Sequence, residues 1–156
     1  MDTSFANLLC TLILGVVGVI ITSRYNKHIK NLTQEKLQKD LFKEFNARYQ
    51  LLNDDLVRIE REYSTLEKLN QSQDADQLRQ RVIEYFILCA EEFYWYHHKK
   101  RIDALIWNSW QVGMNYWYNR VPAIKSLWEE EVKAGGKASY YITDKHEFFR
   151  EEGTSK

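Results

Sequence analysis

Residues 42–66 read FKEFNARYQLLNDDLVRIEREYSTL, and the fold follows from the spacing inside this stretch. Phe42, Phe45, Tyr49, Leu52, Leu56, Ile59, Tyr63 and Leu66 recur at alternating intervals of three and four. That period returns apolar side chains to one face of an α-helix and makes a seam of more than three heptads. No Gly or Pro stands between Arg24 and Asn70, and Lys, Glu, Gln and Leu, all good helix formers, dominate. A parallel two-stranded zipper prefers Ile, Val and Leu in its seam. The aromatic positions here predict packing against other helices of the same chain. Upstream, Tyr25, Ile29, Leu32, Leu37 and Leu41 form a looser stripe, out of register as after a stutter.

Downstream, the polar run Asn70–Asp74 is the expected break, and Asp74 with Gln77 has capping-box spacing for a second helix. That helix places Leu78, Val82, Tyr85 or Phe86, Cys89, Phe93 and Tyr96 on one face and Ile83, Ile87, Ala90 and Tyr94 on another. Apolar nearly all round, it reads as a central helix, antiparallel to the first because the connection is short. His97–Arg101 closes it with cations. Asp103 is the expected N-cap of a third helix carrying Ile106, Trp107, Trp110, Met114 and Trp117. Asn119–Val121 breaks it, Pro122 suits the first turn of a fourth helix with Ile124, Leu127, Trp128 and Val132 inward, and Gly135-Gly136 ends that one. Ser139–Ile142 reads as a short extended piece. Asp144 with Glu147 reads as the cap of a last turn holding Phe148 and Phe149.

The other end of the chain is different in kind. Phe5–Thr22, FANLLCTLILGVVGVIIT, is 18 residues without a charge. At 1.5 Å per residue it spans ~27 Å, near the ~30 Å hydrocarbon thickness of a bilayer. A cleaved signal peptide needs positive charge before the run and a small-residue exit. Here Asp2 precedes it and Thr22-Ser23-Arg24 follows, so an uncleaved anchor is expected. Arg24, Lys27 and Lys30 after the run, with no Lys or Arg before it, place the N-terminus outside and the remainder in the cytoplasm. Cys10 then lies in the bilayer and Cys89 in a reducing compartment, so no disulfide joins them. Asn7, Thr11, Gly15, Gly18 and Thr22 share one side of the anchor, a small-residue stripe that lets two helices approach and predicts self-association. The basic stretch over residues 24–48 follows the anchor directly: the weightier reading is a solvated helix face that carries the topology signal, the other an attraction to anionic head groups, and membrane lipid is an expected partner of the anchored chain.

The chain thus divides into an anchor (1–23), a juxtamembrane stalk (24–41), a helical bundle (42–150) and a polar tail (151–156). The expected fold is all-α: one transmembrane helix, a long stalk helix and a cytoplasmic antiparallel bundle of three to four helices. With 156 residues, 22 basic against 22 acidic side chains and formal net charge +0, there is no basic excess for nucleic acid. Adjacent His97 and His98 point ~100° apart on a helix, and no metal-ligand spacing occurs, so no metal or cofactor is expected. No nucleophile motif is present, and Cys89 on the most apolar helix is expected to be buried and inert. Glu84 and Glu91, seven apart on one face with Glu92 to the side, are the candidates if the chain is an enzyme, as a glycosidase-like carboxylate pair. The weightier expectation is structural, because nothing else catalytic accompanies them. Glu91, Glu92, Trp95, Trp107 and Trp110 form a candidate groove for a protein partner or ligand.

From Arg81 to Trp128 the chain resembles a group of uncharacterised bacterial membrane-anchored helical proteins with Y-F-x-L-C-x-E-E-[FY]-x-x-Y and I-D-x-x-[IV]-W-x-x-W segments. The matching residues are Tyr85, Phe86, Leu88, Cys89, Glu91, Glu92, Phe93, Tyr96, Ile102, Asp103, Ile106, Trp107 and Trp110. The resemblance implies a bacterial origin and an inner-membrane site. It departs at the turn, where a Gly is expected and Lys100-Arg101 stand. The function expected from the residues is a non-catalytic, membrane-tethered interaction or regulatory module. The alternatives are a small membrane effector of bacterial conflict or phage exclusion, and an enzyme using Glu84 or Glu91.

Overall fold

The computed structural model describes residues 3–144 and 147–150, with side chains at residue 7 and from residue 11 onward. It is all-α. Helix α1 runs Thr3–Glu62, α2 Leu66–Asn70, α3 Ala75–Phe93, α4 Ala104–Arg120 and α5 Pro122–Glu131. The chain divides into two compact units, Met1–Lys39 and Asp40–Lys156.

In the first unit the predicted anchor and stalk are helical. Leu12, Ile13, Leu14, Val16, Val17, Val19, Ile20 and Ile21 are all between 45% and 71% exposed. Thr11 donates its hydroxyl to the Asn7 carbonyl at 2.9 Å, which satisfies it within the helix. Gly15 and Gly18 face open space, and a Cβ added to either would meet nothing within 4 Å. Among the described residues no helix is long and apolar enough to cross a membrane. Phe5, Ala6, Leu8, Leu9 and Cys10 of the predicted anchor lie outside the residues whose side chains are described, as does the predicted tail 151–156.

The second unit is built on the seam. Phe45, Leu52, Leu56 and Ile59 are buried, with Tyr49, Tyr63 and Leu66 half-buried and Phe42 exposed at the end of the row. Pairing across the helices fixes their directions. Arg48 meets Glu91, Arg81 meets Asp55 at 3.2 Å, and Arg58 meets Asp74 at 2.5 Å, so α3 runs antiparallel to α1. Phe42 stacks on Trp110, the Trp117 indole donates to the Tyr49 hydroxyl at 2.9 Å, and Arg120 meets Glu60 at 2.9 Å, so α4 runs parallel to α1. The seam is an intramolecular one.

Local chemistry accounts for most boundaries. Asp103, extended at φ −67° and ψ 146°, accepts from Leu105 N at 2.8 Å and opens α4. Val121 is extended before Pro122, as the proline ring requires, and Pro122 opens α5. Gly135 at φ 95° ends a wide π-type turn over Val132–Gly136. A second such turn, Tyr94–His98, extends α3, and Lys100 beyond it adopts φ 54°. That is the turn where a Gly was expected. The left-handed backbone that favours glycine is present with lysine occupying it.

Four expectations change. The first helix breaks at Tyr63–Thr65, not at Asn70–Asp74, because Thr65 caps α2 by accepting from Lys68 N at 3.4 Å. Asp74 precedes α3 without a side-chain capping bond, since its carboxylate is held by Arg58. The Ser139–Ile142 stretch is a 3-10 turn over Ala138–Tyr140 followed by Tyr141 at φ 56°, not an extended piece. Glu147 accepts from the Thr143 and Asp144 amides at 2.7 and 2.8 Å and tightens a loop, where a helical turn was expected. That loop delivers Phe148 and Phe149, both fully buried, into the centre of the unit. Phe149 stacks on Tyr118 at 4.9 Å and meets Phe86 and Trp128 edge-on. Gln111 donates to the Phe148 carbonyl, Asn119 to the Arg150 carbonyl, and Arg150 N to Asn115, so the returning segment is pinned along α4.

Candidate functional site

On α3, Tyr85, Leu88, Cys89 and Glu92 follow at intervals of three, one and three, so they share one face. That face fronts a partly enclosed cavity of about 170 Å³ between the Asp40–Glu62 part of α1, α3 and α4. From α1 come Asn46 and Tyr49. From α4 come Ser109, Trp110, Gly113 and Met114. Gly113 has open space where a Cβ would stand. Trp110 is fixed by two aromatic contacts, stacked on Phe42 at 6.1 Å and edge-on to Phe45 at 5.6 Å.

Glu92 is the chemically distinctive residue. It is 6% exposed, one of two buried polar side chains among the described residues. The groups that act on its carboxylate are the charges of Arg48 and Glu91, with no hydrogen bond among them. Desolvation raises its pKa from 4.5 to about 8, opposed by the positive charge of Arg48 and reinforced by the neighbouring Glu91. Arg48 itself is committed to Glu91, whose bond to it raises the guanidinium pKa, and lies 3.9 Å from Glu44. Beside Glu92 the Cys89 thiol is buried, and desolvation lifts its pKa well above the usual range, so it is held as the neutral thiol. Tyr85 is 2% exposed. Its hydroxyl meets no partner at hydrogen-bond geometry, with the Cys89 sulfur as an electrostatic neighbour.

The residues of the predicted groove are distributed among different places. Glu92 and Trp110 meet at the cavity. Glu91 turns toward α1 and Arg48. Trp107 is buried against Tyr96, stacked at 4.8 Å, and lines a separate polar cleft with His97, His98 and Glu147. Trp95 lies half-buried against Tyr94 and lines neither. Glu84 is paired with Arg81 at 2.8 Å, so the two carboxylates considered for catalysis are each held by an arginine. His97 stacks on Phe93 and His98 contacts the Tyr141 carbonyl at 3.2 Å, and the described residues contain no metal-binding cluster. The predicted groove omits the rest of the cavity lining, Asn46 and Tyr49 on α1, Ser109, Gly113 and Met114 on α4, and on α3 Tyr85, Leu88 and Cys89. The one-face spacing of Tyr85, Leu88, Cys89 and Glu92 is the signal that finds those on α3.

No protein-family model matches the chain, and no curated protein and no solved structure matches it.

Proposed function

We propose that the chain is a single-pass membrane protein whose helical unit serves as a non-catalytic interaction or regulatory module. The observation that carries this reading is the first unit's run of eight exposed aliphatic residues, Leu12 to Ile21, arranged all round the helix. A helix apolar on every side is stable when lipid or protein surrounds it, and water does neither. The run lies within Phe5–Thr22, 18 residues without a charge, enough to cross a bilayer. The basic flank Arg24, Lys27 and Lys30 orients the N-terminus outward and the helical unit toward the cytoplasm, in a bacterial inner membrane.

Self-association through Asn7, Thr11, Gly15, Gly18 and Thr22 fits the same helix, since among the described residues none comes within 4 Å of a Cβ added at position 15 or 18. The non-catalytic reading is supported by Glu84 and Glu91 being held by arginines and by the buried, neutral Cys89 thiol. The experiment is fractionation of the full chain and of one lacking residues 1–23. The full chain should stay with membranes through alkaline carbonate washing, and a reporter after Lys156 should read as cytoplasmic. Release of the full chain by carbonate would refute the anchor, and a periplasmic reporter would refute the orientation.

A further inference from the structure

We propose that the cavity between α1, α3 and α4 binds a small organic cation, a primary ammonium on an aromatic body, with Glu92 as its counter-ion. This inference rests on the second unit alone and does not depend on the membrane anchor.

Size comes first. A cavity of about 170 Å³ accommodates a ring of benzene size with a short polar arm, given that ~150 Å³ suffices for benzene itself. The sign of charge comes next. The lining contains one acid, Glu92, and neither Lys, Arg nor His. An anion would therefore meet a carboxylate without a compensating cation, and the nearest guanidinium, Arg48, is already bonded to Glu91. A cation meets the reverse situation. It finds a buried carboxyl without an ion pair, a buried Tyr85 hydroxyl whose polar neighbour is the weakly bonding Cys89 thiol, and the rings of Tyr49 and Trp110. Aromatic faces attract ammonium groups, more strongly where water is excluded. A buried polar group left unpaired costs free energy, so a ligand that supplies the missing partner recovers it.

The electrostatics give the event a proton signature. Burial keeps Glu92 protonated below about pH 8, and the groups acting on it are Arg48 from α1 and Glu91 from its own helix, with Tyr49, Tyr85 and Cys89 the other titratable side chains of the lining. From α4 the lining residues Ser109, Trp110, Gly113 and Met114 carry no charge. When an ammonium enters, the carboxyl transfers its proton to solvent and the resulting carboxylate pairs with the cation. Affinity for the cation therefore rises with pH, by up to about tenfold per unit, until Glu92 is ionised in the free protein.

The test is a calorimetric titration of the full chain with benzylamine, which stays protonated over this range, and with benzyl alcohol as its neutral isostere. Benzylamine should bind more tightly at pH 8 than at pH 6 and release a proton at pH 6, read from buffers of different ionisation enthalpy. Glu92→Gln should weaken benzylamine by about tenfold or more, remove the pH dependence, and leave benzyl alcohol unchanged. Gly113→Leu, which projects a side chain into the lining, should remove both. Where that variant fails to fold, Glu92→Gln alone decides the question. The proposal is overturned if benzyl alcohol binds as well as benzylamine at pH 8, if Glu92→Gln leaves benzylamine binding intact, or if neither probe binds and the cavity holds water only.

Discussion

Glu92→Gln should change how stability depends on pH. In the folded chain the Glu92 pKa is about 8 against an ordinary 4.5, because its carboxyl is buried without an ion pair. A raised folded-state pKa means that the folded chain holds the proton more tightly than the unfolded one. The full benefit is present below pH 4.5, where both states are protonated. It is lost progressively as pH rises to 8, because the unfolded carboxyl ionises freely and the folded one cannot. Each unit corresponds to about 1.4 kcal/mol, so the loss reaches about 3 kcal/mol at pH 7 and about 4 kcal/mol at pH 8, where the folded carboxyl is itself half ionised. Glutamine cannot ionise and carries none of it. Other groups titrate too: Glu60, Asp74 and Glu147 have pKa values lowered by their hydrogen-bond partners and oppose this trend at acid pH. They are common to both proteins, so the difference between the two curves isolates Glu92. Urea unfolding followed by tryptophan fluorescence, at half-unit steps from pH 5 to pH 8, measures that difference. It should grow in favour of Glu92→Gln by about 3.5 kcal/mol across the series, on top of a constant offset for the new amide. Parallel curves would mean that Glu92 ionises as readily in the folded chain as outside it, and the cavity description would be wrong.

Phe86→Ala should cost about 3–5 kcal/mol in urea unfolding, because Phe86 is fully buried among Trp128, Tyr140 and Phe149. Trp110→Ala, at a half-buried cavity wall, should cost distinctly less, and equal costs would misplace the core. Asp103→Ala should lower stability by about 1 kcal/mol through loss of the Leu105 cap, and Lys100→Gly should raise it by up to about 1 kcal/mol by relieving a left-handed lysine. A shift of the same sign for both would refute that account of the α3–α4 turn. Gly15→Ile and Gly18→Ile should lower self-association in a membrane two-hybrid assay, with Val16→Ile and Val19→Leu neutral. Equal behaviour of the four would leave the stripe without a role.

The features legible in the sequence are those fixed by near neighbours. Asp103, Pro122 and Gly135 act through one hydrogen bond, one ring and one left-handed φ, and each ends or starts a helix where its chemistry demands. The seam is legible for a related reason. Its 3-4 period is a property of one helix, and the aromatic composition already argues for partners in the same chain, as Phe42–Trp110 and Trp117–Tyr49 show. What escapes is whatever depends on distant segments. Asp74 has capping-box spacing, yet Arg58, sixteen residues earlier, takes its carboxylate. Phe148 and Phe149 have no helical period around them, yet they fill the centre because Gln111, Asn115 and Asn119 pin the chain that carries them.

The cavity needs both kinds of information. Tyr85, Leu88, Cys89 and Glu92 lie on one face of α3 by spacing alone, so a carboxylate in an apolar row is visible in the sequence. That the row fronts a space and not a packed wall depends on α4, which presents Ser109 and Gly113, four apart, at the same place. Two small residues on one helix face, opposite a buried acid on another, leave room that neither helix reveals alone. A leucine at either position would project a bulky side chain into it. The combination places Glu92 beside a space large enough for a counter-ion, where a packed wall would leave its buried carboxyl with an uncompensated cost.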